Sequence, residues 1–148
     1  MGTPRTIRLL VVEDDPAYLY LIRKAFSGRV EGTRWELITA IDGQQAVHIL
    51  FEDDIENNAL PDLVLLDWKL PKLSGIEVLR KLKQHDSLRR IPVLVFSSSS
   101  EQTDIHAAYD DHANEYLTKP AEYDTLAAIV ESIERFWAEV AQIPKAVR

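Results

Sequence analysis

The sequence predicts an α/β fold, a doubly wound parallel sheet covered by helices on both faces. Strand-length and helix-length segments alternate five times, and the strand segments are apolar at consecutive positions, most clearly Leu9-Leu10-Val11-Val12, Leu63-Val64-Leu65-Leu66 and Val93-Leu94-Val95-Phe96. Strands buried on both faces read this way, because helices cover each side of the sheet. The runs also end alike. Glu13-Asp14, Asp67, Ser97 and Thr118-Lys119-Pro120 follow them, and the C-terminal ends of the strands are where open sheets gather their chemistry.

Thr6 to Val12 reads as the first strand. Asp15 is placed as an N-cap with Pro16 at the first helical position, and Tyr18, Leu19, Leu21, Ile22, Ala25 and Phe26 form a helical stripe that stops near Gly28. Trp35 to Ala40 alternates weakly as a second strand, and Asp42-Gly43 opens a helix through Ala46, Val47, Ile49 and Leu50 whose end is crowded with acidic residues. Pro61-Asp62 opens the third strand, which runs to Asp67. The loop Leu70 to Gly75 leads to a helix carrying Ile76, Val78, Leu79 and Leu82. Ile91 to Phe96 is the fourth strand, and Ser97 to Ser100 is expected to cap the next helix, the Ser99 to Gln102 spacing resembling a capping box. Ala113 to Thr118 is the fifth strand, and a last helix runs from Ala121 to about Ala141.

At 148 residues and 46% hydrophobic, the chain has the size of one domain with a full core, residues 1–148 with a folded centre of about 6–141 and no room for an output domain. It has no apolar run of membrane-spanning length and no signal h-region. The expectation is a soluble, cytoplasmic protein without a membrane partner. The absence of cysteine removes disulfides, thiolate catalysis and thiolate zinc sites. A net charge of −7 argues against nucleic acid as a partner, since phosphate backbones are held by clustered Lys and Arg.

Two carboxylates from the first strand end and one from the third make an oxygen-rich set suited to Mg²⁺, a hard cation that takes few protein ligands. Glu13, Asp14 and Asp15 also suit a helix N-terminus, where negative charge is favoured. Asp67 has no such second use, because Trp68 to Pro71 extends a loop before the next helix, and it is placed as a nucleophile. Lys119 can aim a cation at a carboxylate or phosphoryl group, with Pro120 fixing the backbone, a cis peptide bond being one way. A surface lysine and a helix-initiating serine are the ordinary readings of Lys119 and Ser97 taken singly. Their joint placement at strand ends sets them apart.

In this order and at these spacings, with Ser97 30 and Lys119 52 residues after Asp67, the residues resemble the receiver domain of two-component response regulators over nearly the whole chain. The resemblance implies a flavodoxin-like sheet in the order 2-1-3-4-5 flanked by five helices. It makes Asp67 the phosphoacceptor, Glu13 and Asp14 the acidic pair, Ser97 the switch hydroxyl, Lys119 the conserved lysine and Tyr116 the switch aromatic, with Pro71 and Gly75 following at family spacing. A sensor histidine kinase would donate the phosphoryl group. Mg²⁺, with Mn²⁺ able to substitute, would be held by Asp14, Asp67, Glu13 largely through water, and the backbone carbonyl of Lys69. The protein would be a phosphoacceptor that catalyses only its own phosphorylation and dephosphorylation. The Glu52 to Leu60 insertion, Ile91-Pro92 and Ile133 to Trp137 resemble the single-domain subgroup associated with phytochrome-type kinases.

Four positions depart from the family pattern. Lys69 stands beside the path of an attacking water and is expected to tune the lifetime of the phosphorylated state, with Ser99 as a second tuning position. Ser74 replaces an acidic residue, His112 stands where glycine is common, which implies a strained or reshaped turn, and Ser98 is larger than usual. The last helix carries Leu126, Ile129, Val130, Ile133, Phe136, Trp137 and Val140, more apolar residues than one stripe requires; a longer core helix is one reading, and a homodimer through the last helix and its neighbours is the one expected. Three rival readings stand beside this one. A haloacid-dehalogenase-like phosphatase lacks its second aspartate, Lys69 being there instead, and a flavodoxin-like cofactor carrier would place phosphate against Glu13-Asp14-Asp15. A phosphorylation-independent interaction domain is the third.

Overall fold

A computed structural model describes residues 5–26, 30–52 and 60–144. Five parallel strands, β1 (Arg5–Val12), β2 (Thr33–Ala40), β3 (Leu63–Leu66), β4 (Val93–Ser97) and β5 (Glu115–Thr118), lie in the order β2-β1-β3-β4-β5. The helices between and after them are α1 (Pro16–Ala25), α2 (Gly43–Val47), α3 (Gly75–Lys83), α4 (Gln102–Asp110) and α5 (Tyr123–Arg135). α2 and α5 each continue as a wider π-helical turn, His48–Glu52 and Phe136–Val140, and a 3₁₀ turn, Leu88–Arg90, precedes β4.

Side chains on each strand alternate between two cores. Leu10, Val12, Val64, Leu66, Val93 and Val95 pack with Leu50 of the α2 extension, Leu79 and Leu82 of α3 and Ala108 of α4. Leu9, Val11, Leu63, Leu65, Leu94 and Phe96 pack on the other face with Ile22 of α1 and Leu126, Val130 and Ile133 of α5. Both faces of the three central strands are therefore dry, and each fully buried aliphatic side chain stabilises the fold by about 1.5–3 kcal/mol. The doubly wound sheet expected from the consecutive apolar runs is the sheet observed.

The starts of α1, α2 and α3 follow their caps. Asp15 accepts from the Ala17 N–H at 3.0 Å, with Pro16 at the first helical position. Asp42 accepts from the Gln45 N–H at 2.7 Å, and Gln45 reaches back to accept from the Ile41 N–H at 2.9 Å. Ser74 caps α3, its Oγ donating to Glu77 at 3.0 Å and accepting from the Glu77 N–H at 3.4 Å.

Several boundaries differ from the sequence reading. The serine run does not cap α4: Glu101 is the N-cap residue and makes no side-chain cap. Ser99 closes the preceding turn instead, accepting from the Glu101 N–H at 3.2 Å and donating to Asp104 at 2.5 Å. β5 begins at Glu115 rather than Ala113, because Asn114 turns its amide oxygen onto the Val93 N–H at 2.8 Å. β3 and β4 begin two residues later than expected, and β2 two earlier. α5 starts at Tyr123 rather than Ala121. His112 adopts a left-handed backbone with φ 71°, the reshaped turn expected at a position that favours glycine. Gly28 and most of the Glu52 to Leu60 insertion lie outside the described residues.

Candidate functional site

The parallel register aligns the strand ends. Val12 pairs with Leu66, Leu66 with Val95, and Ser97 with Thr118, so Glu13, Asp67, Ser97 and Lys119 emerge along one edge. The Asp67 N–H donates to Val12 O at 3.0 Å and the Lys119 N–H to Ser97 O at 2.8 Å, which carries the sheet's hydrogen bonding one residue into the site.

Lys119 is the hub. Its Nζ donates to Glu13 Oε1 at 2.5 Å and to Asp67 Oδ2 at 3.1 Å. Asp67 is 6% exposed and Glu13 2%, a depth at which an unpaired carboxylate would be strongly destabilising. Burial pushes both carboxyls above the ordinary carboxylate range, and Lys119 draws them only partway back. Burial alone would push the Lys119 ammonium down, but its hydrogen bond to Glu13 and the charge of Asp67 outweigh that and hold it up. The remaining lone pairs find backbone donors, since Glu13 Oε2 accepts from the Asp15 N–H at 3.1 Å and Asp67 Oδ1 from the Lys69 N–H at 3.4 Å.

Asp14 is exposed, and one oxygen each of Glu13, Asp14 and Asp67 lie within 4.8 Å of one another. Three carboxylates against one ammonium leave negative charge to spare. The donor set is all hard oxygen with no nitrogen or sulfur, which fits Mg²⁺ or Mn²⁺.

Ser97 is 1% exposed, and its Oγ accepts from the Ser99 N–H at 3.1 Å, which leaves its own proton free to be donated. Tyr116 is half-buried, with its hydroxyl donating to Ser99 O at 2.8 Å. The Lys69 side chain is exposed. No cis peptide bond occurs among the described residues, so Lys119 is held without one. It is fixed by its ion pairs, by its backbone N–H and by the ring of Tyr18, whose centroid lies 5.0 Å from Nζ.

Tyr18 was legible in the sequence only as part of an apolar stripe. It also donates its hydroxyl to Pro120 O at 3.2 Å and packs against Phe96, so it braces the Lys119-Pro120 segment from α1. Its signal is a phenol four residues past Asp14 on a helix face that otherwise needs only aliphatic groups. Gly75 is the second device. A Cβ there would overlap the carbonyl of Asp67 and the backbone of Trp68, and the Gly75 N–H donates to Trp68 O at 3.1 Å. Only glycine lets α3 start against the loop that leaves Asp67.

Residues 9–131 match the response regulator receiver domain. The chain belongs to that family. Response regulator Rcp1 of Synechocystis sp. is 39% identical over 139 residues, 93% of each chain, and its Mn²⁺-bound crystal structure aligns with a TM-score of 0.83 at 37% identity, over 93% of this chain and 99% of that one. The phosphorylated cyanobacterial phytochrome response regulator RcpA aligns with a TM-score of 0.86 at 40% identity, over 94% of this chain and 99% of that one. A receiver domain of the Pseudomonas aeruginosa sensor kinase PA1611, with magnesium in its active-site cleft, aligns with a TM-score of 0.62 at 28% identity, over 86% and 96%. Among the described residues, no helix is long and apolar enough to cross a membrane.

Proposed function

We propose that this receiver works in the cytoplasm and takes a phosphoryl group onto Asp67 from the phosphohistidine of a sensor histidine kinase of the phytochrome type. The observation that carries the reading is the buried Asp67 carboxylate, which shares Lys119 with Glu13 and lies within metal-sharing distance of Asp14. The likeness to RcpA and Rcp1 supports the kinase class.

In the transfer, an Asp67 oxygen bonds to phosphorus as the phosphorus–nitrogen bond breaks and the imidazole leaves. Phosphoryl transfer depends on alignment and charge neutralisation more than on proton movement. Asp14, Asp67, the Lys69 carbonyl and, largely through water, Glu13 would hold Mg²⁺, which when bound neutralises phosphoryl charge. Lys119 supplies the second cation. Ser97, with its proton uncommitted, donates to a phosphoryl oxygen, and Tyr116 exchanges its bond to Ser99 for the space Ser97 vacates. That local change biases the surface of α4, β5 and α5 between two states, and the output is a protein contact there. The homodimer expected from α5 would use the same surface.

Incubation with acetyl phosphate and Mg²⁺ tests the reading. Intact-mass measurement is expected to show one added phosphoryl group in the wild type and none in Asp67→Asn. Absence of the adduct in the wild type would instead favour a phosphorylation-independent interaction domain, and an adduct retained by Asp67→Asn would move the phosphoacceptor elsewhere.

A further inference from the structure

Three side chains enclose the Lys119 ammonium, and only two of them are charged. Nζ donates to Glu13 and Asp67, and among the described residues no other oxygen accepts from it. The third side is the ring of Tyr18, whose centroid lies 5.0 Å from Nζ, within the range of a cation–π contact. The Lys119 side chain is only 14% exposed. A cation so enclosed is poorly hydrated, and the negative face of a ring attracts it most where water is excluded.

The chain builds this contact from α1. Asp15 caps the helix and Pro16 opens it, so Tyr18 falls in the first turn. Its ring packs against Phe96, the residue before Ser97, with centroids 6.1 Å apart, and its hydroxyl donates to Pro120 O at 3.2 Å. One side chain of α1 therefore touches the ends of both β4 and β5. A core aromatic is the ordinary reading of this position, but leucine would fill a core as well. Leucine would leave the Pro120 carbonyl without its donor and the ammonium without its third neighbour. Burial pushes the Tyr18 phenol up, so it stays a neutral donor and its ring carries no net charge.

That neutrality bears on phosphoryl transfer. As an Asp67 oxygen attacks phosphorus, the ammonium has to turn from the two carboxylates towards a phosphoryl oxygen. The carboxylates hold it back, because each competes for the same donors. The ring attracts the cation equally before and after the exchange, which keeps Nζ at the site while its oxygen partners change, and alignment of this kind lowers the barrier.

We propose that Tyr18 is a positioning residue for phosphoryl transfer, its ring holding the Lys119 ammonium in place while the ammonium changes partners. The inference rests on Asp67 being the phosphoacceptor.

The test compares full-length wild type, Tyr18→Leu, Tyr18→Phe and Tyr20→Leu, the last on the outer side of α1 where Tyr20 is 65% exposed. Phosphorylation by acetyl phosphate at saturating Mg²⁺ is followed by intact mass. Tyr18→Leu is expected to slow it roughly tenfold, Tyr18→Phe by no more than about threefold, and Tyr20→Leu not at all. Mg²⁺ affinity by titration calorimetry should stay within about twofold throughout, because the metal takes oxygen ligands and Tyr18 offers it none. In a Lys119→Gln background, Tyr18→Leu should cost no further rate, since it acts through the ammonium. The wild type alone gives a readout that does not depend on how the variants fold: ring current should move the Lys119 side-chain methylene protons upfield of ordinary lysine. Several results overturn the proposal: equal slowing by Tyr18→Phe or Tyr20→Leu, the same slowing without Lys119, Mg²⁺ affinity falling in step with the rate, or ordinary Lys119 shifts in the wild type. An adduct that forms as fast in Tyr18→Leu as in the wild type removes the role of Tyr18 alone, whereas a wild type that takes no phosphoryl group removes the phosphoacceptor reading and this role together.

Discussion

Two lysines show how differently single residues act in this fold. The Lys69 side chain is exposed while its backbone N–H faces Asp67 Oδ1, so it can shield the acyl phosphate without holding the apo site together. Lys69→Ala is expected to shorten the phosphorylated lifetime severalfold, with the unfolding midpoint unchanged. An unchanged dephosphorylation rate would remove the idea. Lys83 does the opposite work. Its Nζ donates to Arg89 O at 3.0 Å, Ile91 O at 2.8 Å and Asn114 Oδ1 at 3.2 Å, tying the end of α3 to the entries of β4 and β5. Nothing in the sequence separates it from the neighbouring Arg80 and Lys81, because its role depends on carbonyls that only the folded chain collects. Lys83→Met should cost about 1 kcal/mol by stripping donors from those oxygens. Burial pushes the Lys83 ammonium down to about 8, so between pH 8 and the ordinary lysine range near 10.5 the unfolded chain binds more protons than the folded one. Stability linked to this group therefore rises with pH across that window. Denaturant midpoints at several pH values should show the wild type gaining on Lys83→Met as pH rises, and a constant difference would contradict the linkage.

At the scale of elements, α4 and β5 are joined by a crossed pair of tyrosines. Tyr109 of α4 accepts the Tyr116 N–H at 3.1 Å, and the Tyr116 hydroxyl reaches Ser99 O just before α4. β5 is an edge strand of only four residues, and edge donors left free invite pairing with other chains. The Tyr109 hydroxyl blunts that edge and makes the position of α4 depend on where Tyr116 stands. Tyr109→Phe should cost about 1 kcal/mol and speed hydrogen exchange of the Tyr116 amide more than that of Leu117, which faces β4. Equal exchange at both amides would show that the hydroxyl does not hold the edge. The sequence revealed the three central strands well because burial on both faces leaves no alternation to misread. It revealed α4 poorly: the serine run suggested a capping box, but Ser99 serves the turn and Asp104 rather than the helix start. Local propensity and tertiary contact competed for the same hydroxyl.

For the whole molecule, the site was legible to the extent that it lies on strand ends. Glu13, Asp14, Asp67, Ser97 and Lys119 converge because the register of a parallel sheet converts sequence position into one edge. Tyr18 escaped notice because a phenol on an apolar helix face looks like core until its hydroxyl is seen on Pro120. The same arrangement ties metal binding to stability. Glu13 and Asp67 are compensated by Lys119, whereas Asp14 is exposed and forms no ion pair among the described residues, so the metal-free fold does not depend on it. Mg²⁺ at ten times its dissociation constant should stabilise the folded state by about 1.4 kcal/mol, a rise of roughly 3–6 °C in Tm for a chain of this size. Asp14→Asn should leave the metal-free Tm within about 1 °C and abolish most of that rise. Glu13→Gln should lower the metal-free Tm as well, because it weakens the partner of a buried ammonium. Calorimetric scans with and without Mg²⁺ separate the two variants. Were both to behave alike, the division between a carboxylate that only binds metal and one that also holds Lys119 would be wrong.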